Sequence, residues 1–147
     1  MAEPRILVVD DEVIVCESCK RILEEEGYQV ETALSGKEAF EKMKHNPFDI
    51  VITDLKMPGI DGMEVLKTFR KDYPDSIIIM ITGFSTVETA VEAMKLGAFD
   101  YIPKPFTPDE VAIVVKKAIE KKNLMLENIY LRQELQEKYG FHNIVGK

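Results

Sequence analysis

Acidic side chains follow two apolar runs that are typical of buried strands. Asp10 and Asp11 come directly after the run Arg5–Val9, and Asp54 directly follows the run Asp49–Thr53. Because neighbouring parallel strands end at the same edge of a sheet, we expect these three carboxylates to lie together. Such like charges need a compensating cation, and Mg²⁺ prefers carboxylate, water and phosphate oxygens. The spacing therefore predicts a magnesium site, whereas one such acid alone is often only a helix cap.

Two further polar residues fall at matching positions of later apolar runs. Thr82 ends the fourth run, and Lys104 follows the fifth. A hydroxyl, an ammonium and a metal ion around one carboxylate suit a transferred phosphoryl group, because the cations neutralise its oxygens. A carboxylate can itself accept that group and become an aspartyl phosphate. Lys104 precedes Pro105, so a cis peptide bond is one way to direct the ammonium inward.

Five apolar runs alternate with helical patterns along the chain. The runs Arg5–Val9, Asp49–Thr53 and Ser76–Ile81 are continuous, as in strands buried on both faces, whereas Tyr28–Thr32 alternates as an edge strand does. The fifth run, Tyr101–Ile102, is short. This alternation predicts an α/β fold, a flavodoxin-like doubly wound five-stranded parallel sheet of order 2-1-3-4-5.

The helical patterns begin and end with recognisable signals. Gly27 and Gly97 suit the ends of helices, and Pro108 suits a first helical position. Met80 and Met94 are expected at core positions. Four capping pairs start helices: Ser35 with Glu38, Asp61 with Glu64, Ser85 with Glu88, and Thr107 with Glu110.

The last helical pattern is much longer than the others. No residue breaks it from Pro108 to Tyr139, a length of roughly 48 Å at 1.5 Å per residue. Leu126 and Ile129 lie beside its main apolar stripe, so an interface rotated around the helix toward these two residues is an alternative. The stripe predicts a homodimer through this extended C-terminal helix, or else packing on a neighbouring domain. It has heptad spacing and consists of Leu124, Asn128, Leu131 and Leu135.

Four segments of the chain together resemble the receiver domains of two-component response regulators. The resemblance covers about residues 4–122 and implies a CheY-like version of the predicted fold. It also implies that Asp54 accepts a phosphoryl group from a sensor histidine kinase. The segments are Val9-Asp-Asp-Glu12, Thr53-Asp-Leu-Lys-Met-Pro-Gly-Ile-Asp-Gly62, Ile81-Thr-Gly83 and Gly97-Ala-Phe-Asp-Tyr-Ile-Pro-Lys-Pro-Phe106.

The same resemblance implies which residues hold the metal ion. Mg²⁺ would be bound by Asp11, by Asp54 and by the backbone carbonyl of Lys56, together with water. Asp10 would act mainly through a water molecule. The metal site implied by the family thus agrees with the one predicted from the strand ends.

The resemblance also implies a conformational switch. Thr82 and Lys104 would contact the phosphoryl oxygens, and Tyr101 matches the family's switch aromatic, which moves inward as the threonine moves. A half-buried tyrosine on an edge strand is the alternative interpretation of Tyr101. The output would be a population shift on the face formed by the fourth helix, the fifth strand and the last helix. The part of this face formed by the fourth helix and the fifth strand would offer a second dimer contact.

The receiver-like region is followed by the long helix and then by Phe141-His-Asn-Ile-Val-Gly-Lys147. This arrangement resembles the NtrC-type activators of sigma-54 RNA polymerase. This resemblance divides the chain into a receiver domain at 1–122, a helical coiled-coil linker at 123–140, and the truncated start of an AAA+ ATPase domain at 141–147. Phosphorylation would then change the dimer arrangement and control a downstream ATPase and transcription. The other interpretation is a degenerate receiver that acts only as a dimerisation module.

Composition excludes several other functions. The chain has 147 residues and a net charge of −7, and residues 1–110 alone carry −10; an acidic body argues against nucleic-acid binding by this fragment. With no membrane-length apolar run and no signal peptide, we expect a cytoplasmic protein. Cys16 and Cys19 lie inside a helical pattern and are expected to be core residues.

Two classes of protein with a similar sheet fit the sequence less well. A phosphatase with an aspartyl nucleophile needs a second aspartate two residues later, where this chain has Lys56. A flavin carrier needs a Ser/Thr/Gly-rich phosphate loop after the first strand, where this chain has Asp10, Asp11 and Glu12. The chain is therefore expected to be a phosphoacceptor regulator rather than an enzyme.

Overall fold

Five parallel strands form the centre of the fold. The computed structural model describes residues 4–54, 62–83 and 87–139. The strands are β1 (Arg5–Val9), β2 (Gln29–Ala33), β3 (Ile50–Asp54), β4 (Ile77–Thr82) and β5 (Asp100–Pro103). They pair in the order β2-β1-β3-β4-β5, and all neighbouring pairs are parallel. The predicted strand order is confirmed, and each strand lies within one residue of its predicted run.

The strands are connected by helices. These are α1 (Val13–Glu25), α2 (Gly36–His45), α3 (Gly62–Asp72), α4 (Val87–Lys95) and α5 (Pro108–Tyr139). Gly27 and Gly97 have φ angles of +93° and +107°, as expected for residues that follow helices. Residues 61 and 85, the predicted caps of α3 and α4, lie outside the described residues.

Reciprocal hydrogen bonds fix the start of α5. The backbone N–H of Glu110 donates to Thr107 Oγ1 at 3.2 Å, and the backbone N–H of Thr107 donates to Glu110 Oε1 at 2.8 Å. Helix α5 begins with Pro108 directly after this capping residue. The capping box predicted from the sequence is thus confirmed, and it defines where the chain turns away from β5.

Helices cover both faces of the sheet, because the strand residues alternate between two cores. On one side, Leu7 and Val51 pack with Leu66 and Phe69 of α3 and with residues of α2 and α4. On the other, residues of β1, β3 and β4 pack with α1 and α5, including the buried Leu23. This arrangement holds the carboxyl ends of the strands at fixed positions.

Helix α4 does not pack on the sheet with the apolar stripe that its sequence indicates, which consists of Val87, Ala90, Val91 and Met94. Ala93 is fully buried and Leu96, just after the helix, is partly buried against the core. Val91 and Met94 are each 46% exposed, so the prediction that Met94 is a core residue was wrong. Ala93 and Leu96 form a second apolar stripe beside the first, and this second stripe packs against the sheet.

Helix α5 leaves the sheet at Lys122. Its earlier residues Val111, Val115 and Ala118 are fully buried against the sheet. Lys122 Nζ then donates to the carbonyl oxygen of Asp75 at 2.5 Å. Beyond Lys122, α5 exposes its larger apolar side chains: Leu124, Leu126, Ile129, Tyr130, Leu131 and Leu135.

No helix in the described parts of the chain is long and apolar enough to cross a membrane.

Candidate functional site

Two buried carboxylates lie side by side at the carboxyl edge of the sheet. Residues Val9 and Thr53 are partners in the pairing of β1 with β3, so the next residues, Asp10 and Asp54, are neighbours. Asp10 is fully buried and Asp54 is 5% exposed. The position of Asp10 is fixed by its own backbone N–H, which donates to Ala33 at 3.1 Å.

Lys104 places its ammonium among the carboxylates. Its Nζ lies 2.9 Å from Asp10 Oδ2, 3.1 Å from Asp54 Oδ2 and 3.1 Å from Glu12 Oε1. The backbone N–H of Lys104 donates to the backbone carbonyl oxygen of Thr82 at 2.9 Å, which attaches the β5–α5 turn to the end of β4. The bond from Lys104 to Pro105 is cis, as the sequence suggested. Residues from three separate parts of the chain thus meet around one cation.

Burial and charge together set the protonation of this pair. Burial raises the pKa of Asp10 above its ordinary value, and the nearby Asp54 charge adds to this effect, while Lys104 opposes it. Burial alone would lower the pKa of Lys104, but its contacts with Asp10, Glu12 and Asp54 raise that pKa well above the ordinary value. The ammonium is therefore charged at neutral pH and compensates a pocket of negative charge.

The oxygen atoms of the pocket suit a hard divalent cation. Asp10, Glu12 and Asp54 each offer one carboxylate oxygen, and these oxygens lie within 4.8 Å of one another. Asp10 Oδ2 is buried and accepts no well-aligned hydrogen bond from the described residues, although the ammonium is near. An oxygen-only donor set with one such oxygen fits Mg²⁺.

Two predicted metal ligands are not part of this group. Asp11 is exposed and does not belong to the set of close carboxylate oxygens among the described residues. Lys56 lies outside the described residues. The metal roles of Asp11 and Lys56 therefore stay predictions.

The remaining predicted site residues lie on β4 and β5. Thr82 is fully buried at the end of β4, at the same edge as Asp54. Tyr101 is half-buried on β5, and its hydroxyl lies 3.4 Å from Thr89 Oγ1 of α4. The sheet thus connects the acidic pocket to α4 through two neighbouring strands.

Glu12 is a site residue whose role the sequence did not indicate. Its backbone N–H donates to Asp10 Oδ1 at 2.9 Å, a local turn contact that aspartate commonly makes two residues along the chain. Its side chain reaches Lys104, which lies 92 residues later in the sequence. Only the first of these contacts carries a local signal that sequence patterns reveal.

The two cysteines belong to the core and not to the site chemistry. Cys16 and Cys19 are free and buried. Burial raises the pKa of the Cys16 thiol to about 11 and that of Cys19 to about 12. Reactive cysteines need a lowered pKa and access to solvent, so the expected core role is confirmed.

An open groove borders the pocket. It has a volume of about 790 Å³ and lies between α1 and the start of α5. Glu12 and Lys104 form its end nearest the acidic pocket. Its apolar lining includes Ile14, Val15, Ile22 and Phe106. Such a mixed surface suits contact with another protein.

Comparisons with known proteins show which family the chain resembles. Residues 6–116 match the family described as response regulator receiver domain. The chain is 37% identical over 140 residues to an NtrX-like response regulator of Rickettsia felis, covering 94% of this chain and 30% of that protein. It is 33% identical over 147 residues to the C4-dicarboxylate transport transcriptional regulatory protein DctD of Pseudomonas aeruginosa, covering 99% of this chain and 32% of that protein.

A solved structure of a receiver domain is also similar to this chain. The solution structure of the beryllofluoride-activated NtrC4 receiver domain dimer matches with a TM-score of 0.77 and 41% identity. The match covers 80% of this chain and 98% of that one. The chain spans about 30% of the length of the curated relatives named above.

Proposed function

The chain belongs to the response regulator receiver domain family, and on this premise we propose that Asp54 accepts a phosphoryl group from a sensor histidine kinase. The observation that supports this most directly is the position of Asp54 Oδ2, 3.1 Å from the Lys104 ammonium. A buried carboxylate beside a fixed cation can attack phosphorus while the cation neutralises the charge of the transferred group.

The proposed transfer forms one bond and breaks one. A carboxylate oxygen of Asp54 bonds to phosphorus as the phosphorus–nitrogen bond of the phosphohistidine breaks, and the leaving imidazole takes a proton from water. Lys104 and the hydroxyl of Thr82 would donate to the phosphoryl oxygens. Both residues already lie at the carboxyl edge of the sheet, so little rearrangement is needed to reach them.

Mg²⁺ is the proposed cofactor. Asp11, Asp54 and the backbone carbonyl of Lys56 would hold it, with Asp10 acting mainly through water. The ion would supply positive charge to the phosphoryl oxygens in addition to that of Lys104. The buried Asp10 Oδ2, which lacks a well-aligned hydrogen bond, supports a cation at this place.

The proposed output begins at Thr82 and Tyr101. A phosphoryl group that draws the Thr82 hydroxyl toward Asp54 would change the space beside β5, where Tyr101 contacts Thr89 of α4. The exposed Val91 and Met94 of α4 would belong to the surface that changes. We infer a shift between two populations of this face rather than a new fold.

A homodimer is the proposed assembly. The exposed stripe Leu124, Asn128, Leu131 and Leu135 of α5 would pair with a second copy, and the α4–β5 face would provide a further contact. The similar NtrC4 receiver domain is described as a dimer in its activated form.

The kinase would bind in the groove between α1 and α5. This groove opens beside Lys104, whose ammonium contacts Asp54.

The whole protein is proposed to be a cytoplasmic activator of sigma-54-dependent transcription. Residues 1–122 would be the receiver, 123–140 the coiled-coil linker and 141–147 the start of an AAA+ domain; 140–147 lie outside the described residues. The similarity to the transcriptional regulatory protein DctD supports this reading. The receiver itself would catalyse only its own phosphorylation and slow dephosphorylation.

The experiment that tests this function is the intact mass of the chain after incubation with acetyl phosphate and Mg²⁺. We expect one added phosphoryl group, none with Asp54→Asn, and normal addition with Asp72→Asn, an exposed aspartate at the end of α3. The addition should require Mg²⁺ and disappear with EDTA. No added mass in the wild-type chain at saturating Mg²⁺ would instead favour a degenerate receiver that only dimerises.

A further inference from the structure

Glu12 is the exposed member of the three carboxylates around Lys104. Its side chain is 63% exposed, whereas those of Asp10 and Asp54 are 0% and 7% exposed. Its Oε1 accepts a hydrogen bond from Lys104 Nζ at 3.1 Å. The proposed transfer to Asp54 gives this contact no role, although it engages the cation that the transfer needs.

The contact with Glu12 competes with other acceptors for the ammonium. A lysine ammonium has three N–H groups, and Lys104 donates well-aligned hydrogen bonds to Glu12 and Asp54. The buried Asp10 Oδ2 lies nearer, at 2.9 Å, yet receives no aligned hydrogen bond from the described residues. Glu12 therefore directs one N–H of Lys104 toward solvent and away from the interior of the pocket.

An arriving phosphoryl group would break the weakest of these contacts. Three carboxylate oxygens already lie within 3.1 Å of this ammonium, so a phosphoryl oxygen that contacts it must displace at least one of them. Water readily replaces an ion pair with an exposed partner, whereas a buried carboxylate that loses its cation is left uncompensated. Release of Glu12 therefore costs least.

We propose that Glu12 is a positioning residue that holds one N–H of Lys104 in the unphosphorylated chain and gives it up when a phosphoryl donor binds. This contact makes donor binding weaker than it would otherwise be, so Glu12 slows phosphoryl uptake. The inference rests on the proposed function, because it concerns the cation that would receive the phosphoryl oxygens.

The variant Glu12→Asp tests the proposal. It keeps the negative charge but shortens the side chain by one methylene, about 1.5 Å, so the carboxylate no longer reaches Lys104. At saturating Mg²⁺, the second-order rate constant for uptake from acetyl phosphate should rise about two- to fivefold, as expected for loss of an exposed ion pair. The increase should come from a lower half-saturating donor concentration, with the maximal rate unchanged. Glu17→Asp, the same change at an exposed site of α1, should have no effect.

A measurement without metal or donor gives a second readout. Proton exchange of the Lys104 ammonium, followed by ¹⁵N NMR of the metal-free chain, should be faster in Glu12→Asp than in the wild type. Mg²⁺ affinity from calorimetry should stay within about threefold of the wild-type value. A tenfold or larger loss of Mg²⁺ affinity would identify Glu12 as a metal ligand and overturn the proposal.

The failures of the two proposals are distinguishable. If the wild-type chain takes up no phosphoryl group, the proposed function fails. If the wild type is phosphorylated normally and Glu12→Asp changes neither the uptake rate nor the ammonium exchange, only the role of Glu12 is overturned.

Discussion

Replacing Lys104 by methionine tests how the acidic pocket is stabilised. Methionine has a similar length but no charge, so Lys104→Met removes the ammonium and leaves most of the volume filled. Asp10 and Asp54 then remain buried next to each other with no cation from this side chain. We expect the free energy of unfolding to fall in Mg²⁺-free buffer at neutral pH, and added Mg²⁺ to restore much of it.

The distances set the size of this effect. At about 3 Å, each of the two buried contacts corresponds to a Coulomb energy of ~5 kcal/mol at an effective dielectric constant of 20. Dehydration of the ammonium offsets several kcal/mol of this. Removing one partner of a buried ion pair costs about 3–5 kcal/mol. We expect a loss near 3 kcal/mol, the lower end, because Asp10 can take up a proton instead.

The loss should depend on pH with a defined sign. Burial already raises the pKa of Asp10, so its folded form binds a proton more tightly than the unfolded chain does. Stability from this group is therefore present at pH values below its ordinary pKa and is lost as the pH rises through the raised pKa. Removing Lys104 takes away a positive charge that holds the pKa of Asp10 down, so this pKa should rise further. The loss in Lys104→Met should therefore be larger at pH 7.5 than at pH 5.

Urea unfolding followed by circular dichroism, in EDTA and in Mg²⁺, measures this loss. Lys117→Met, which removes an exposed lysine of α5, is the matched control and should change stability by less than ~0.5 kcal/mol. A Lys104→Met loss below ~1 kcal/mol in EDTA, or one that neither Mg²⁺ nor lower pH reduces, would refute the reasoning.

Three further predictions concern other parts of the chain. Cys16 and Cys19, with thiol pKa values raised to about 11 and 12, should not react with a thiol reagent at pH 8 until urea unfolds the chain; rapid labelling of the folded chain would contradict their burial. Gly97→Ala should cost more stability than Gly27→Ala, because both have positive φ but only at Gly97 would the Cβ lie 2.8 Å from a neighbouring arginine side chain. Equal losses in urea unfolding would refute this. Asn128→Leu should tighten self-association in analytical ultracentrifugation, since a polar residue in a heptad seam weakens it; unchanged sedimentation at low micromolar concentration would count against that seam.

The sheet could be predicted from the sequence because its signals are local. Continuous runs of Val and Ile give buried strands, and the alternating run gives the edge strand β2, whose first three side chains are exposed, buried and exposed in turn. The capping box of Thr107 and Glu110 marked the start of α5 without any knowledge of the tertiary structure. Strand ends in turn identified Asp10, Asp54, Thr82 and Lys104 as residues of one edge.

The contacts within the pocket could not be predicted in this way. That the Lys104 side chain contacts three carboxylates at once depends on how residues after β1, β3 and β5 come together in the folded chain, which no local pattern specifies. The pairing with Glu12 joins residues far apart in sequence. Similarly, the apolar pattern of α4 did not reveal that Ala93 rather than Met94 faces the sheet, because only the packed core decides between adjacent stripes.

Because α5 is one uninterrupted helix, the number of residues in it sets the direction in which its exposed stripe faces. One helix carries both the residues that pack on the sheet and the exposed stripe beyond Lys122. Each residue inserted between them turns the stripe by ~100° and moves it by 1.5 Å. A single insertion would thus aim the stripe away from the second copy with which we propose it pairs, whereas seven residues restore the direction to within ~20°. Chimeras that join this receiver to another effector are therefore expected to work only when their junctions preserve helical phase.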